Sequence, residues 1–235
     1  MGETNIRGKL IKHYDNPSKP NFWQDCADNK WESEGFDLLD EYVLPGTAFI
    51  DIGAWNGVYS LYAHAKGAQV FAIEPDTVAY TEALENFKLN GIERLLSNIA
   101  ITDRQNMTVI YNRKGEFGNS ESSLVKREGY DSQQVVPEID LEYMFALFGV
   151  PRNISLIKID TEGSEAQIIP SSVNLIRSLN CPIYLALHPH ILSQKETRLI
   201  IKALKECCNM ERTRYMIHDQ MLLFPKNIHY GTSSN

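Results

Sequence analysis

Four cysteines in 235 residues are too few and too scattered to form a framework. Cys26, Cys181, Cys207 and Cys208 include no CxxC pair, so neither a zinc knuckle nor a disulfide scaffold is indicated. No apolar run approaches the length that spans a bilayer. The opening MGETNIRGKLIKHYDN lacks an apolar signal core. A myristoylation site wants Ser or Thr at position six, and Ile6 stands there. Positive charge is in deficit. The net charge of -7 argues against nucleic acid or an anionic membrane as the main partner. No internal repeat is present. What remains is the expectation of a reducing, cytoplasmic protein whose length fits one α/β domain.

Along the chain, residues 1–30 are polar and punctuated by NPSKPN, which reads as an irregular lead-in pinned by Phe22, Trp23 and Trp31. From residue 31 to 228 the pattern is that of a single domain. Apolar residues at helical spacing in WESEGFDLLDEYVLPG stop at Pro45-Gly46. TAFIDIG, AQVFAIEP, LLSNIAITD, MTVIYNRKGE, NISLIKID and CPIYLALHP read as strands. VYSLYAHAKG, TVAYTEALENFKLNGI, SEAQIIPSSVNLIRSLN (broken near Pro170) and ETRLIIKALKECC read as helices. Strands alternating with helices of this length predict a mostly parallel sheet covered on both faces. TRYMIHDQMLLFPK suggests a closing antiparallel pair around His218-Asp219, and residues 229–235 a frayed tail. The polar stretch 113–134 contains GNSESS and predicts an exposed loop of the kind that serves as a lid, bent at Gly118, Ser120 and Ser122.

The chemistry starts in FIDIGAWNGVYSLYAHAKGAQVFAIEPD. One apolar run stops at Asp51 and turns through Gly53 and Gly57, where missing side chains admit a ligand to the backbone. The next run stops at Glu74, where an acid meets both hydroxyls of a ribose. The bland alternative is a tight turn and a solvated acid. A dinucleotide site wants GxGxxG, but the spacing here is GxxxG, and Trp55 would crowd a pyrophosphate. S-adenosylmethionine has no phosphate and fits better. Asp51 would meet its ammonium end through an amide or water.

Together DIGAWNGVYS, IEPD, IKIDTEGSE and LALHPH resemble the FkbM family of S-adenosylmethionine-dependent methyltransferases, from about Trp31-Glu32 to about His190. The IKIDTEGSE block is the most specific part. Trp55 departs from the family's usual small or amide residue. The resemblance implies a doubly wound α/β fold of the Rossmann-like class I type, with a mostly parallel seven-stranded sheet and an antiparallel strand near the C-terminus. It also implies a cofactor site over Asp51, Gly53, Ala54, Asn56, Gly57, Ser60, Glu74, Pro75, Asp76 and Glu32. The implied acceptor is a hydroxyl of a small molecule or glycan, with neither nucleic acid nor membrane as partner.

IKIDTEGSE carries a second constellation. In an extended chain Lys158, Asp160 and Glu162 share one side. A lysine inside a central parallel strand needs a carboxylate partner. A structural ion pair and a catalytic role for Lys158 are equally open. Asp160 lies at the strand tip and could take the acceptor proton, its basicity raised by burial and by the crowd with Glu162 and Glu165. Glu165 reads better as a helix-dipole partner. His188 and His190 end the neighbouring strand, and His188 would be a base matched to neutral pH. The catalytic set is therefore Asp160, Glu162, His188 and Lys158. The expectation includes no metal, a divalent ion on Asp160, Glu162 and His188 being the lesser alternative. Two other functions stay open: a cofactor-binding module without turnover, and an NAD-linked oxidoreductase.

Overall fold

The computed structural model describes residues 1–16, 19–92, 96–216 and 219–228. The chain opens with β1 (Gly2–Ile6), β2 (Lys9–His13), α1 (Phe22–Ala27) and α2 (Ser33–Tyr42). A regular alternation follows: β3 (Ala48–Ile52), α3 (Val58–Ala65), β4 (Gln69–Ile73), α4 (Thr77–Leu89) and β5 (Leu96–Ser97). Then come β6 (Ala100–Thr102), β7 (Asn106–Asn112), β8 (Ser132–Asp140), α5 (Leu141–Leu147), β9 (Ile154–Ile159), α6 (Glu165–Ser171), α7 (Val173–Ser178) and β10 (Ile183–Ala186). The described chain closes with α8 (Gln194–Cys207), β11 (Arg214–Tyr215) and β12 (Gln220–Leu223).

The main sheet has seven strands in the order β11-β12-β10-β9-β3-β4-β5. From β5 to β10 all neighbours are parallel, while β12 runs antiparallel to β10 and β11 to β12. This is the doubly wound sheet expected from the alternation of strands and helices, antiparallel closure included. One strand face packs Phe49, Val70, Ala72 and Leu156 against α2, α3 and α4. The other packs Ile50, Ile52, Ile157, Ile159 and Leu185 against the helices after β8. Burial on both sides explains why β3 is apolar at almost every position. The strand order reverses between β3 and β9. In such sheets the crevice lies beyond the carboxyl ends at that switch point, here at Gly53 and Asp160.

The N-terminal segment is not irregular. β1 and β2 form a hairpin with Ile6 paired to Lys9, turned through Arg7 and Gly8, both at positive φ, as a two-residue hairpin requires. Ile6 and Ile11 face the core, while Glu3, Asn5 and Lys12 lie on the other face. That polarity hid the hairpin. Asn86 on α4 and Asn90 at its C-cap accept the amides of Tyr14 and Lys12, and His13 stacks on Trp23 at 4.4 Å between ring centroids.

A second correction concerns LLSNIAITD. It splits into β5, in the main sheet, and β6, in a separate three-stranded sheet of order β6-β8-β7. The expected loop 113–134 ends early, because Ser132–Gln134 already belong to β8. Strand β10 stops at Ala186, so His188 and His190 lie in the turn beyond it. His218 and the tail 229–235 lie outside the described residues.

Candidate active site

A cavity of ≈ 390 Å³ opens at the switch point. Its floor is an ionic cluster at the tips of β3 and β9. Asp51 and Lys158 are register partners on the same face. Lys158 Nζ donates to the Gly53 carbonyl at 2.8 Å and lies 3.4 Å from Asp51 Oδ1 and 3.3 Å from Asp160 Oδ2. Burial works against this ammonium, but the charges of Asp160 and Asp51 outweigh it and raise Lys158 above its ordinary value. Burial pushes the Asp51 carboxyl up, with Lys158 and the Ser60 hydroxyl pulling the other way. An ammonium held among three oxygens is the geometry of a charged pair. Lys158 thus has the partner its position demanded.

The cofactor side is made by one short stretch. Glu74 Oε2 accepts the Trp55 amide at 2.7 Å, and Oε1 accepts the Asp76 amide at 2.8 Å. Burial carries Glu74 up to about 8 despite those two bonds. Gly53 and Gly57 both have positive φ. A Cβ on Gly53 would run into the Asp160 carbonyl, and one on Gly57 would meet Phe87 on α4. Packing of the chain on itself thus requires both glycines, and Gly53 also lines the cavity.

Of the expected cofactor residues, Glu32, Gly53, Ala54, Glu74 and Pro75 line the cavity. Asp51, Asn56, Gly57, Ser60 and Asp76 stand behind its wall and act through others. Asp51 accepts Ser60 Oγ at 2.7 Å. Asn56 accepts the Val58 amide and, through its carbonyl, Asn86. Asp76 caps α4 and accepts the Gly118 amide at 2.8 Å and the Ser122 hydroxyl. Trp55 donates its indole N–H to the Gly118 carbonyl at 2.9 Å. The loop from 113 to 131 is therefore fastened to the cofactor turn, with Asn119, Ser120, Ser122 and Leu124 on the cavity wall.

The β9–β10 side gathers three of the expected catalytic residues. His188 Nε2 is 3.2 Å from Glu162 Oε1 and 3.5 Å from Asp160 Oδ1. Its Nδ1 is 3.2 Å from Glu165 Oε1. Glu165 is fully buried and accepts the amides of Thr161 and Gly163. Burial disfavours the imidazolium, but the bonds with Glu162 and Glu165 raise His188 to about 10. Among these carboxylates His188 is a cation at neutral pH, which removes the neutral base expected of it. Glu162 has φ +52, so the chain has left strand geometry there and simple alternation no longer places it. The sequence reading missed Glu165 as a partner of His188, and it missed Arg127, whose Nη2 lies 3.9 Å from Glu162 Oε2. A carboxylate five residues past the strand-end acid Asp160 was the available signal for Glu165. Nothing local marks Arg127.

The Methyltransferase FkbM domain matches residues 51–215, well over half of the chain. The chain belongs to the FkbM methyltransferase family. The methyl donor of that family is S-adenosylmethionine, as the motifs implied. Among curated relatives, ribosomal protein L11 methyltransferase of Nitratiruptor sp. is 40% identical over 55 residues, 23% of this chain and 20% of that protein. The same-named protein of Symbiobacterium thermophilum is 43% identical over 56 residues, 23% and 18% of the two. The chain thus spans about a fifth of the curated relatives it matches. Among solved structures, a candidate rRNA methylase from Clostridium thermocellum has a TM-score of 0.50 at 9% identity, covering 85% of this chain and 96% of that one. An FkbM methyltransferase from Methylobacillus flagellatus scores 0.46 at 15% identity, covering 90% and 56%. At 9% identity the likeness to the Clostridium thermocellum structure is one of fold alone.

The cavity of this FkbM domain suits a cationic cofactor. Glu32, Glu74, Asp160, Glu162 and Asp219 line it, with Lys158 and His188 as cations among them. A pyrophosphate would meet those carboxylates, whereas a sulfonium and an ammonium are attracted by them. No helix among the described residues is long and apolar enough to cross a membrane.

Proposed function

We propose that this FkbM domain is an S-adenosylmethionine-dependent O-methyltransferase acting on a hydroxyl of a small molecule or sugar-like acceptor. The reading rests on one observation: Asp160, Glu162 and His188 converge at the β9–β10 end of a cavity whose other end is the Gly53–Glu74 turn. Bound at that turn, the cofactor supplies a methyl group already activated on a sulfonium. Glu74 holds the ribose hydroxyls, and the Gly53–Ala54 backbone borders the methionyl chain. The protein's remaining tasks are to align the acceptor oxygen and to manage one proton. A carboxylate, Asp160 or Glu162, takes that proton. His188 holds the two acids in position, and Lys158 fixes Asp160 against the strand end.

The loop 113–131 forms the wall over the acceptor. It is tied to the cofactor turn through Asp76 and to the catalytic turn through Ser123, whose hydroxyl donates to the Glu162 carbonyl. An NAD-linked reading is opposed by the acid lining and by Trp55. A binding module without turnover would have no use for three convergent titratable groups.

Calorimetric titration with S-adenosylhomocysteine and NAD, followed by methyl transfer assays on sugars, hydroxy acids and ribosomal protein L11, tests the proposal. Binding of S-adenosylhomocysteine and transfer to a hydroxyl are expected. Transfer to amines of the ribosomal protein alone would replace the hydroxyl reading.

A further inference from the structure

We infer that Asp160, Glu162 and His188 form a binding site for one divalent cation at the acceptor end of the cavity. The inference deepens the methyl-transfer reading and rests on it for its chemistry, though not for its geometry. One donor atom from each side chain can be chosen so that all lie within 4.8 Å of one another. His188 Nε2 sits 3.2 Å from Glu162 Oε1 and 3.5 Å from Asp160 Oδ1. Two donors at right angles around a cation with bonds of about 2.1 Å stand about 3 Å apart. The observed separations are close to that value and long for charge-assisted hydrogen bonds, which run about 2.7–2.9 Å. A single Nε2–H also has only one proton for two carboxylate oxygens that approach it, and a cation at that point would displace this proton and leave the imidazole neutral, as a ligand must be.

An independent feature lies outside the three residues. Each of their remaining polar atoms is already held by a different group. Asp160 Oδ2 faces Lys158 Nζ at 3.3 Å, Glu162 Oε2 faces Arg127 Nη2 at 3.9 Å, and His188 Nδ1 faces the buried Glu165 at 3.2 Å. The three supports turn Asp160 Oδ1, Glu162 Oε1 and His188 Nε2 toward one point. A carboxylate behind the distal nitrogen of a histidine is the arrangement that orients metal-binding imidazoles. An ion-pair network alone requires no such convergence.

Two carboxylates and one imidazole suit a borderline-hard ion of the Mn²⁺ type better than Ca²⁺, which prefers an all-oxygen shell. Three protein donors leave up to three positions open toward the cavity. That favours an acceptor offering two neighbouring oxygens, as a vicinal diol or an α-hydroxy acid does. A bound cation makes the acceptor hydroxyl more acidic. Transfer then forms an O–CH3 bond and breaks the S–CH3 bond. The electron pair stays on sulfur, and the hydroxyl proton passes through the adjoining carboxylate, Asp160 or Glu162, to solvent.

Chelator-treated protein titrated with MnCl2, with free Mn²⁺ followed by its electron paramagnetic resonance signal, tests the site. One ion per chain is expected. Affinity should fall at least tenfold in Glu162→Gln and in His188→Ala, and less in Arg127→Gln, which touches only a supporting position. S-adenosylhomocysteine titrated into the same samples reports on folding and on the cofactor reading. Mn²⁺ binding that both variants leave intact, or none in a wild-type protein that binds S-adenosylhomocysteine, would overturn the metal site while leaving the methyltransferase reading standing. Mn²⁺ bound by the wild type and lost in the variants, with no S-adenosylhomocysteine binding in any sample, would support the ion site and remove the cofactor reading.

Discussion

The two ends of the cavity are built differently. The cofactor end comes from one continuous stretch, residues 51–76, in which backbone amides do most of the holding: those of Trp55 and Asp76 fix Glu74. The acceptor end assembles Asp160 and Glu162 after β9 with His188 beyond β10, supported by Lys158 within β9, Arg127 in the wall loop and Glu165 at the start of α6. Local turns set one end, and ion pairs between distant segments set the other. A change at the acceptor end should therefore cost chemistry and spare cofactor binding, while a change at the cofactor end should do the reverse.

The sharpest break of that symmetry is Asp160→Asn. Removing the proton acceptor typically costs about 10²–10⁴ in rate, whereas S-adenosylhomocysteine affinity should stay within a few-fold, both read on the same purified variant. Undiminished turnover would falsify the assignment of Asp160. Next in size is Gly53→Ala, which joins the two ends physically. Its Cβ is directed into the Asp160 carbonyl at a φ of +82, so denaturant unfolding should show a loss of about 2–4 kcal/mol, more than one strained backbone position costs. A stable Gly53→Ala protein would mean that β3 and β9 do not approach as closely as described.

Glu74→Ala should weaken S-adenosylhomocysteine by about 1.5–3 kcal/mol, the usual value for hydrogen bonds to a charged group, without a comparable loss of turnover at saturating cofactor. Unchanged affinity would remove the ribose role. The same residue predicts a pH dependence. Burial holds its carboxyl up to about 8, and donation from two ribose hydroxyls favours the ionised form. Below that value binding must release a proton, so affinity should rise from pH 6 toward 8, by at most about tenfold per unit, and level off above. A flat profile for wild type, or an unaltered slope in Glu74→Gln, would refute this. The smallest effect belongs to Ser122→Ala, which removes one bond from Asp76 to the wall loop. A loss of about 1 kcal/mol locally should quicken proteolytic cleavage within 113–131 by about fivefold where cleavage follows the open population. Added S-adenosylhomocysteine should slow it in both proteins.

The cofactor end was legible because its signals are contiguous. An apolar strand, a glycine turn and an acid ending the next strand lie within 26 residues, and a helix of known rise fixes their spacing in space. Even there one reason for the glycines was not legible, since a Cβ on Gly57 would meet Phe87, thirty residues away on another helix. The N-terminal hairpin was missed because its register rests on two isoleucines, Ile6 and Ile11, and on Arg7-Gly8, too short a pattern to stand out in a polar segment. Strand β8 escaped for a related reason: it pairs in a small second sheet, where only one face is covered and the apolar alternation is weak.

By itself the sequence determined the alternation of strands and helices, the mostly parallel sheet and the place of Asp51, Gly53, Glu74, Lys158 and Asp160 at strand ends, because periodicity and turn chemistry are local properties of the chain. Only the tertiary structure decided that Lys158 stands between Asp51 and Asp160, that the loop 113–131 hangs from Asp76 and Trp55, and that His188 is ringed by Asp160, Glu162 and Glu165 and so carries a charge. Those outcomes depend on electrostatic energies that vary inversely with distance and with local dielectric, and such distances exist only once segments from 23 to more than a hundred residues apart have packed.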